Sequence, residues 1–473
     1  MTEEPGLRGW LGSVSRGIER HPGAVTLALV AIALVPRLVV ALRWAHEPVW
    51  DGVYYHFGAQ RIADGTGYGE LVRGQGGETY HPWCHYPVGY SGLLALFYRL
   101  FGDAASVATT ANAFIGAATV ACVHRLGLSF LSPWRSLVAG LCCALHPGLV
   151  LYAGLLMTEP LAALGVLVGP LVFLALERRP KLAAAAAGFV LGLATLVRPQ
   201  SILSAPVIAL LPTRAQLWAR ALLAAIATLT ALLTVSPWTL RNCRVMDGCA
   251  FVSTNGGWNL AIGSSPRATG RFEPLRASDG CTIVTGQVQQ DRCWKERGVA
   301  WIREDPARWI ALAPKKLSYT FDHQSFAVGY LAQSDPSAWP EERRAWWRGL
   351  LTVAQYALLG VAALAAVPRP DPGKGLSARS ITIALAAGLY LDGLTKSPRR
   401  AWPIVLFAIA AALLPPFVRQ ARGLVGYLLV TLAGVVVVHA IFFGEDRYQI
   451  VVTPALCLLA AAALRPRSEL AVD

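Results

Sequence analysis

The stretch AVTLALVAIALVPRLVVAL, residues 24–42, is almost entirely apolar and long enough to cross a bilayer as a helix. Comparable runs recur along the whole chain of 473 residues, of which 55% are hydrophobic and only 15% charged. A soluble protein of this length would carry much more polar surface. The sequence therefore predicts an all-α polytopic membrane protein.

The formal net charge of +14 has a topological explanation. In a soluble chain, such an excess of basic residues would suggest nucleic-acid binding. Here the basic residues lie mainly in short loops between apolar runs, as expected for loops on the cytoplasmic side of a membrane. We therefore expect no nucleic-acid partner. Because residues 1–20 are polar and the first apolar run is long, no cleavable signal peptide is expected either.

The charge distribution also predicts the orientation of the chain. Arginines within residues 1–20 precede the first span, which places the N-terminus in the cytoplasm and residues 43–103 outside. This first external loop is too polar, and too rich in Gly and Pro, to be a simple span. We expect it to contain two amphipathic helices that lie on the membrane surface, Val53–Asp64 and Val88–Phe101.

About twelve transmembrane helices (10–13) follow from the apolar runs. The predicted spans are approximately 24–42, 105–125, 137–156, 160–176, 182–197, 201–211, 219–236, 347–367, 381–394, 402–418, 424–443 and 450–464. This arrangement places most basic loops inside, with SPRRAW at 397–402 left outside against the charge rule.

Three regions are predicted on this basis: an N-terminal transmembrane module (1–236) that carries the first external loop, a longer external region (237–345), and C-terminal transmembrane helices (346–473). The middle region contains four cysteines, namely Cys243, Cys249, Cys281 and Cys293. An oxidising compartment would favour disulfides among them, but their pairing cannot be read from the sequence, and free thiols are the alternative.

Polar and aromatic groups are unusually frequent on the predicted outer side. The candidate site residues there are Asp51, Tyr55, Glu78, His81, His85 and Tyr86 in the first loop, with Glu159, Arg198, Arg241, Asn255, Arg447 and Tyr448 further along. An ionisable residue at the membrane is a functional hypothesis by default. Because these residues share one side, we expect them to face one cavity.

A carboxylate and several arginines beside a membrane cavity suit group transfer from a lipid phosphate. The planar guanidinium of Arg binds two phosphate oxygens and stays charged. A positioned carboxylate, with Asp51 as the candidate, can take the proton from an incoming hydroxyl. The leaving phosphate needs little acid help once an arginine or a metal ion neutralises its charge.

Ordinary structural roles compete with these functional ones. Asp51 can be a solvated carboxylate beyond a helix end, and Arg447 an interfacial anchor. Arg198 and Arg241 can snorkel from span ends, while Glu159 can stabilise the N-terminus of a helix.

The first loop also contains a candidate metal site. Glu78 and His81 have a spacing that can hold a divalent metal ion, which would assist phosphate binding. The alternative is that both are ordinary loop residues, since short motifs are only hypotheses.

Seven motifs, taken in order, resemble one family. They are WDGVYYHFGAQRIADGTGY (50–68), HYPVGYSGLLALFYRLFGD (85–103), LMTEPLA (156–162), LVRP (196–199), SPWTLRN (236–242), STNGGWNLAIGSSPRATG (253–270) and FFGEDRYQIVVTPALCLLAA (442–461). Their order along most of the chain is similar to the C-type glycosyltransferase superfamily, the membrane enzymes that use polyprenyl-phosphate sugars. The branch it resembles includes protein O-mannosyltransferases and lipid A aminoarabinose transferases.

The resemblance implies that Asp51 is the catalytic general base of an inverting transfer. It also favours Arg447 and Tyr448 as residues that hold the donor phosphate, and Arg198 and Arg241 are further candidates for binding the donor phosphate and lipid. By their position and residue type, the candidate substrate-binding residues are Tyr55, Glu78, His85, Tyr86, Glu159 and Asn255.

Two departures from the family pattern matter. Many relatives have Asp-Glu where this chain has Asp51-Gly52, so the second acidic role is open, with Glu78 a candidate from the same loop. The Trp-Trp-Asp-Tyr-Gly motif of oligosaccharyltransferases is absent, which argues against transfer of a preassembled glycan to asparagine.

We therefore expect a glycosyltransferase at the outer face of the cytoplasmic membrane. It would move a sugar from a polyprenyl-phosphate donor to a hydroxyl on a lipid, glycan or protein, among membrane lipids as further partners. The alternative is a transporter or a lipid or glycolipid flippase. Transporters often consist of two similar halves with charged residues near the midplane, and neither feature is evident here.

Overall fold

The computed structural model of the protein describes residues 6–44, 47–74, 77–212, 215–366, 378–396, 399–413 and 423–464. The helices of the first half are α1 (Gly6–Arg20), α2 (Pro22–Arg43), α3 (Asp51–Ala63), α4 (Val88–Phe101), α5 (Ala105–Gly127), α6 (Pro133–Leu145), α7 (Pro147–Leu151), α8 (Glu159–Ala175), α9 (Pro180–Val197) and α10 (Leu217–Val245). Those of the second half are α11 (Gly256–Ser264), α12 (Gln287–Glu304), α13 (Pro306–Phe321), α14 (Phe326–Ser334), α15 (Glu341–Ala366), α16 (Ala378–Thr395), α17 (Trp402–Leu413), α18 (Gly423–Ile441) and α19 (Thr453–Ala463).

Helices that can cross a membrane dominate this fold. Within the described residues six are long and apolar enough to do so, namely α2, α5, α9, α10, α15 and α18. A bent pair formed by α6 and the segment 147–154 makes a seventh candidate, and several shorter apolar helices accompany them. The prediction of an all-α polytopic membrane protein is confirmed. The number of spans stays a prediction, and residues 414–422 and 465–473, used in the predicted loops, lie outside the described ranges.

One predicted span is broken in the middle. The run 137–156 bends by 51° between α6 and α7, at His146 and Pro147. Proline lacks the N–H that would bond the carbonyl four residues earlier, so the carbonyl of Cys143 is left free. Arg37 of α2 supplies the missing donors: its Nη2 lies 3.1 Å from the Cys143 carbonyl oxygen and its Nη1 lies 2.7 Å from that of Ala144. The break turns the chain towards α8.

A β-hairpin in the first loop adds a small two-stranded sheet to the helical fold. Strands β1 (Gly69–Gly74) and β2 (Gly77–Pro82) pair antiparallel, with Glu70 opposite His81 and Arg73 opposite Glu78. The predicted amphipathic helices of the same loop are present as α3 and α4, which pack against each other. The hairpin therefore projects from a helical loop.

Two further segments differ from the predicted spans, and prolines explain the first. The run 201–211 forms two 3-10 helices, Pro199–Ser204 and Pro206–Leu210, each opened by a proline that cannot donate a backbone hydrogen bond. By contrast, α10 continues through Pro237 to Val245, so SPWTLRN is helical rather than a turn. The helix also runs through the predicted boundary at residues 236 and 237, and the division into three regions stays a prediction.

Both cysteine pairs of the middle region are disulfides. Cys243 pairs with Cys249 at the end of α10, and Cys281 pairs with Cys293 of α12. This is the pairing that the sequence left open. The two bridges fix the segments that lead from α10 towards α12.

Candidate active site

A pocket of about 570 Å³ lies where distant parts of the chain meet. Its walls come from α3, the segment before α4, the end of α9, α11, the end of α18 and a 3-10 helix, Asp446–Val451. Eight of the predicted site residues line it: Asp51, Tyr55, His85, Tyr86, Arg198, Asn255, Arg447 and Tyr448. These residues therefore share one cavity although they span almost the whole sequence.

Asp51 is held at the start of α3 by an unusual backbone turn. The preceding residue, Trp50, adopts φ 51°, a left-handed conformation that is rare for a bulky side chain. Its indole Nε1 donates to the side chain of Gln333 at 2.9 Å, and its ring packs against Phe326 and Tyr330. These contacts with α14 hold the strained turn and direct Asp51 towards the pocket.

Gly52 leaves room for this arrangement. A Cβ atom at position 52 would meet the hydroxyl of Tyr330 and would lie 3.2 Å from the carbonyl oxygen of Leu156. A glutamate cannot replace Gly52 here without displacing the Tyr330 side chain or α3. The absence of the Asp-Glu pair therefore has a steric reason.

The carboxylate of Asp51 has two direct partners. Arg447 Nη1 lies 2.6 Å from its Oδ2, and the hydroxyl of Tyr86 donates to its Oδ1 at 2.8 Å. Burial alone would raise the pKa of Asp51, but the charge and hydrogen bond of Arg447 outweigh burial and lower this pKa. Asp51 is therefore ionised at neutral pH and able to accept a proton.

Arg447 connects Asp51 to two further carboxylates. Its Nε lies 2.5 Å from Oε2 of Glu445 and 4.0 Å from Oε1 of Glu159. Its Nη2 donates to the hydroxyl of Tyr448 at 3.2 Å. Burial disfavours its charge, yet Glu445, Asp51 and Glu159 together raise the pKa of Arg447. The guanidinium is a permanent cation in the wall of the pocket.

Arg198 is the second cation of the pocket. Its Nη1 lies 2.6 Å from Oε1 of Glu159 and donates to the hydroxyl of Thr158 at 3.1 Å. The guanidinium carbon also lies 5.2 Å from the centre of the Tyr448 ring. Glu159, at the first position of α8, is fully buried and lies beside the pocket rather than in its lining. The two arginines and Tyr448 thus form one basic corner.

Sequence analysis missed Glu445. It stands in the same turn as Arg447, but nothing in FFGEDRYQ separates it from an ordinary solvated acid. In the structure burial raises the pKa of Glu445 to about 7 despite the nearby Arg447. Three carboxylates, those of Asp51, Glu159 and Glu445, therefore surround two arginines.

One end of the pocket is apolar. The lining residues there are Ile202, Leu203, Ile262, Phe272, Val438, Phe442 and Phe443. Leu203 and Phe272 are each about half exposed, at 49% and 50%, so this end reaches the surface of the protein. The pocket can accordingly hold a molecule with a charged head and a hydrocarbon chain.

Another part of the pocket wall, which includes His85 and Tyr86, is aromatic and polar. The ring of His85 lies 4.9 Å from that of Tyr86 and 5.7 Å from that of Trp258, measured between centroids. Burial lowers the pKa of His85, so its imidazole is neutral at pH 7. Asn255 accepts a hydrogen bond from Ser253 at 3.0 Å in the turn before α11. Rings and amide groups of this kind suit a polyhydroxylated ligand.

Arg241 lies outside this pocket. Its Nη1 donates to the carbonyl of Trp83 at 2.7 Å, and its Nη2 donates to the carbonyl of Tyr68 at 2.9 Å. Both carbonyls flank the β-hairpin. Arg241 therefore connects the hairpin to α10. It lies outside the pocket because α10 continues past Pro237 and carries this side chain towards the hairpin.

Glu78 and His81 are also placed elsewhere. Glu78 is half exposed on the hairpin and pairs with Arg73 at 2.7 Å. Being three residues apart on one strand, Glu78 and His81 point to opposite faces. Within the described residues, no group of three or more His, Cys, Asp or Glu side chains is arranged to hold a metal ion. Glu78 is also absent from the lining of the pocket, so it does not supply the second acidic group near Asp51. The carboxylates of Glu159 and Glu445 lie there instead, beside Arg447.

The fold and the pocket together describe a multi-pass membrane protein with a basic site that contains the carboxylate of Asp51 and continues into an apolar groove. Residues 85–240 match the sequence profile of the family described as dolichyl-phosphate-mannose-protein mannosyltransferase. The match covers about a third of the chain and includes His85, Tyr86, Glu159 and Arg198. It confirms the predicted resemblance to the C-type glycosyltransferase superfamily over these residues.

Comparison with solved structures found oligosaccharyltransferases of Archaeoglobus fulgidus. One is tethered to an acceptor peptide through a disulfide bond: 13% of residues are identical, 94% of this chain and 50% of that chain are covered, and the TM-score is 0.46. Another is AglB in complex with an inhibitory peptide and a dolichol-phosphate, with 13% identity, 93% and 50% coverage and a TM-score of 0.45. This chain spans about half the length of those proteins. No curated protein sequence matches it significantly.

Proposed function

We propose that the protein is a membrane glycosyltransferase that moves a sugar from a polyprenyl-phosphate donor to a hydroxyl acceptor. The observation that carries the proposal is the contact of Asp51 with Arg447 inside a pocket that continues into an apolar groove. The family match over residues 85–240 supports it. The protein would lie in the cytoplasmic membrane, with the pocket on the outer side.

The donor would enter with its phosphate at the basic corner. Arg447 and Arg198 offer charged donors to the phosphate oxygens, and the hydroxyl of Tyr448 offers one more. The prenyl chain would follow the apolar end of the pocket between the 3-10 helix Pro199–Ser204 and α18. This placement leaves the sugar facing Asp51 and the aromatic wall.

Transfer would then proceed in one displacement. Asp51 takes the proton of the acceptor hydroxyl while the hydroxyl oxygen attacks the anomeric carbon of the sugar. The bond from that carbon to the phosphate oxygen breaks, the configuration inverts, and the electron pair stays on the phosphate. Arg447 and Arg198 stabilise the charge that develops there. Tyr86, through its hydrogen bond, keeps the carboxylate of Asp51 oriented.

Acceptor binding is assigned to the aromatic wall. Tyr55, His85, Tyr86 and Asn255 line the pocket there, and Glu159 supports the basic corner through Arg198. The divalent metal ion at Glu78 and His81 stays a prediction, since no third ligand is arranged with them among the described residues. The acceptor hydroxyl would belong to a lipid, a glycan or a protein.

The alternative is a transporter or flippase, which would use the same groove to move a lipid without cleaving it. Purified protein incubated with a radiolabelled polyprenyl-phosphate sugar separates the two. Loss of label from the lipid, with its appearance on a hydroxyl acceptor, supports the transferase. Movement of intact lipid between leaflets without cleavage would overturn it.

A further inference from the structure

Each nitrogen of the Arg447 guanidinium lies close to a protein group. Asp51 contacts Nη1, the hydroxyl of Tyr448 contacts Nη2, and Glu445 contacts Nε. A phosphate that binds Nη1 from the pocket would compete with Asp51 for that nitrogen. Asp51 is the carboxylate that lines the pocket, so it is the partner on the side from which a phosphate would approach.

The charges of the cluster make such an exchange costly. Among the described residues, the carboxylates of Asp51, Glu159 and Glu445 lie around Arg447 and Arg198, so these five side chains together carry a net charge of −1 when all are ionised. A phosphodiester would add another negative charge. Like charges in a buried site favour protonation of one member of the set.

We propose that Glu445 is a positioning residue of the phosphate site that takes up a proton from solvent when a phosphodiester binds Arg447. The proton neutralises one carboxylate, so Arg447 can exchange Asp51 for the phosphate and leave Asp51 free to act as base. The proton returns to solvent when the phosphate leaves. This inference rests on the proposed function, because it assigns the phosphate of the donor to Arg447.

Glu445 is singled out by its contacts. Glu159 is held by Arg198 at 2.6 Å in addition to its contact with Arg447. Burial raises the pKa of Asp446 to about 6, but two backbone N–H bonds, from Ser325 and Phe326, favour its charged form. Within the part of the chain that the structure describes, Glu445 has one ion pair, with Arg447 itself.

The remaining groups around Glu445 leave it as the site of the proton. Asp51, Glu159 and Asp446 all act on it as negative neighbours, and Arg447 is the positive one. Burial raises the pKa of Glu445 to about 7, whereas burial lowers the pKa of His85 in the aromatic wall. An anion placed near Arg447 raises the pKa of Glu445 further, so protonation at neutral pH follows binding.

The test measures protons rather than turnover. The probe is farnesyl methyl phosphate, a prenyl phosphodiester whose single charge does not change between pH 6 and 8. Calorimetric titration of the full-length protein in buffers of different ionisation enthalpy gives the protons taken up on binding. Wild type should take up about half a proton at pH 7, and its affinity should weaken about tenfold between pH 6 and pH 8.

Two variants complete the experiment. Glu445→Gln imitates the protonated acid, so it should bind the probe with no linked proton at pH 7 and with an affinity that stays constant from pH 6 to pH 8. Glu341→Gln removes an exposed carboxylate that also pairs with arginines, and it should behave as wild type.

The outcomes separate this inference from the proposed function. Binding by wild type without proton uptake, or equal uptake by Glu445→Gln, would overturn the role of Glu445 and leave the phosphate site intact. No binding of the probe to wild type would overturn the phosphate site itself, and the role of Glu445 with it.

Discussion

The guanidinium of Arg447 lies 2.6 Å from the carboxylate of Asp51, although 396 positions of the sequence separate the two residues. Asp51 begins α3 near one end of the chain, and Arg447 follows α18 near the other. Their contact therefore depends on the packing of the helices between them. It also joins the proposed base to the proposed phosphate site.

Replacing Arg447 by lysine tests this contact first. An ammonium cannot contact Asp51, Glu445 and Tyr448 together, nor bind two phosphate oxygens in a plane. Loss of one charge-assisted hydrogen bond, worth about 2–3 kcal/mol, predicts a fall in kcat/KM of about 30- to 150-fold. Transfer assays on purified protein measure it.

Arg241→Lys is the control for Arg447→Lys. It removes donors to the carbonyls of Tyr68 and Trp83, so it should lower Tm. The Kd for a prenyl phosphodiester should stay within about twofold of wild type, because Arg241 lies outside the pocket. Equal losses of affinity in both variants would contradict the assignment of the phosphate to Arg447.

Gly52→Ala tests the steric fit at the start of α3. The new Cβ would meet the Tyr330 hydroxyl, so we expect a lower Tm and at least a tenfold loss of transfer as Asp51 is displaced. Tyr330→Phe removes that hydroxyl and should recover part of the loss in the double variant. Gly92→Ala, in α4 with open space around it, should be neutral or slightly stabilising. A Gly52→Ala variant with the Tm and transfer activity of wild type would show that the turn tolerates a side chain.

Stability should depend on pH through Glu445. Its pKa rises from 4.5 to about 7 on folding, so the folded protein holds the proton more tightly than the unfolded chain. The tighter binding of this proton stabilises the folded protein below pH 4.5, and the stabilisation is lost as the pH rises from 4.5 to about 7. Glu445→Gln should therefore match wild type in Tm near pH 4.5 and exceed it by a few degrees above pH 7. A difference in Tm between Glu445→Gln and wild type that does not vary with pH would count against the raised pKa of Glu445.

The disulfides test the predicted orientation. Cys281–Cys293 and Cys243–Cys249 lie in the region predicted to be external, where oxidising conditions let them form. Mass spectrometry of protein whose thiols were trapped before lysis should find both pairs oxidised, and Cys84 should be found as a free thiol. Reduced pairs would place residues 237–345 in the cytoplasm.

Much of the helical layout was accessible from sequence because a bilayer demands long apolar runs. The runs at 24–42 and 105–125 became α2 and α5 with small changes at the ends. Breaks were harder to predict. The bend at His146 depends on Arg37 supplying donors from another helix, and the hairpin at 69–82 is fastened by Arg241 of α10. Such long-range contacts leave no local pattern.

The candidate site, too, was predicted from the sequence in part. Asp51, Arg198 and Arg447 stood out because charge is rare beside apolar runs. Glu445 did not, since its partial burial follows from the packing of the 3-10 helix Asp446–Val451 against α8, α13 and α14. Glu78 stood out in its loop, but the hairpin carries it to the surface. Residue type and membrane position predicted which groups could react, and only packing showed which of them touch.

The most direct test of the proposed base is a transfer assay of purified Asp51→Asn with a radiolabelled polyprenyl-phosphate sugar. Asparagine keeps the shape of Asp51 and cannot take a proton, so we predict a loss of about 10²–10⁴-fold in turnover. Binding of farnesyl methyl phosphate should be kept, and Asp392→Asn, at an exposed ion pair with Lys396, should transfer like wild type. Turnover by Asp51→Asn equal to that of wild type would contradict the account.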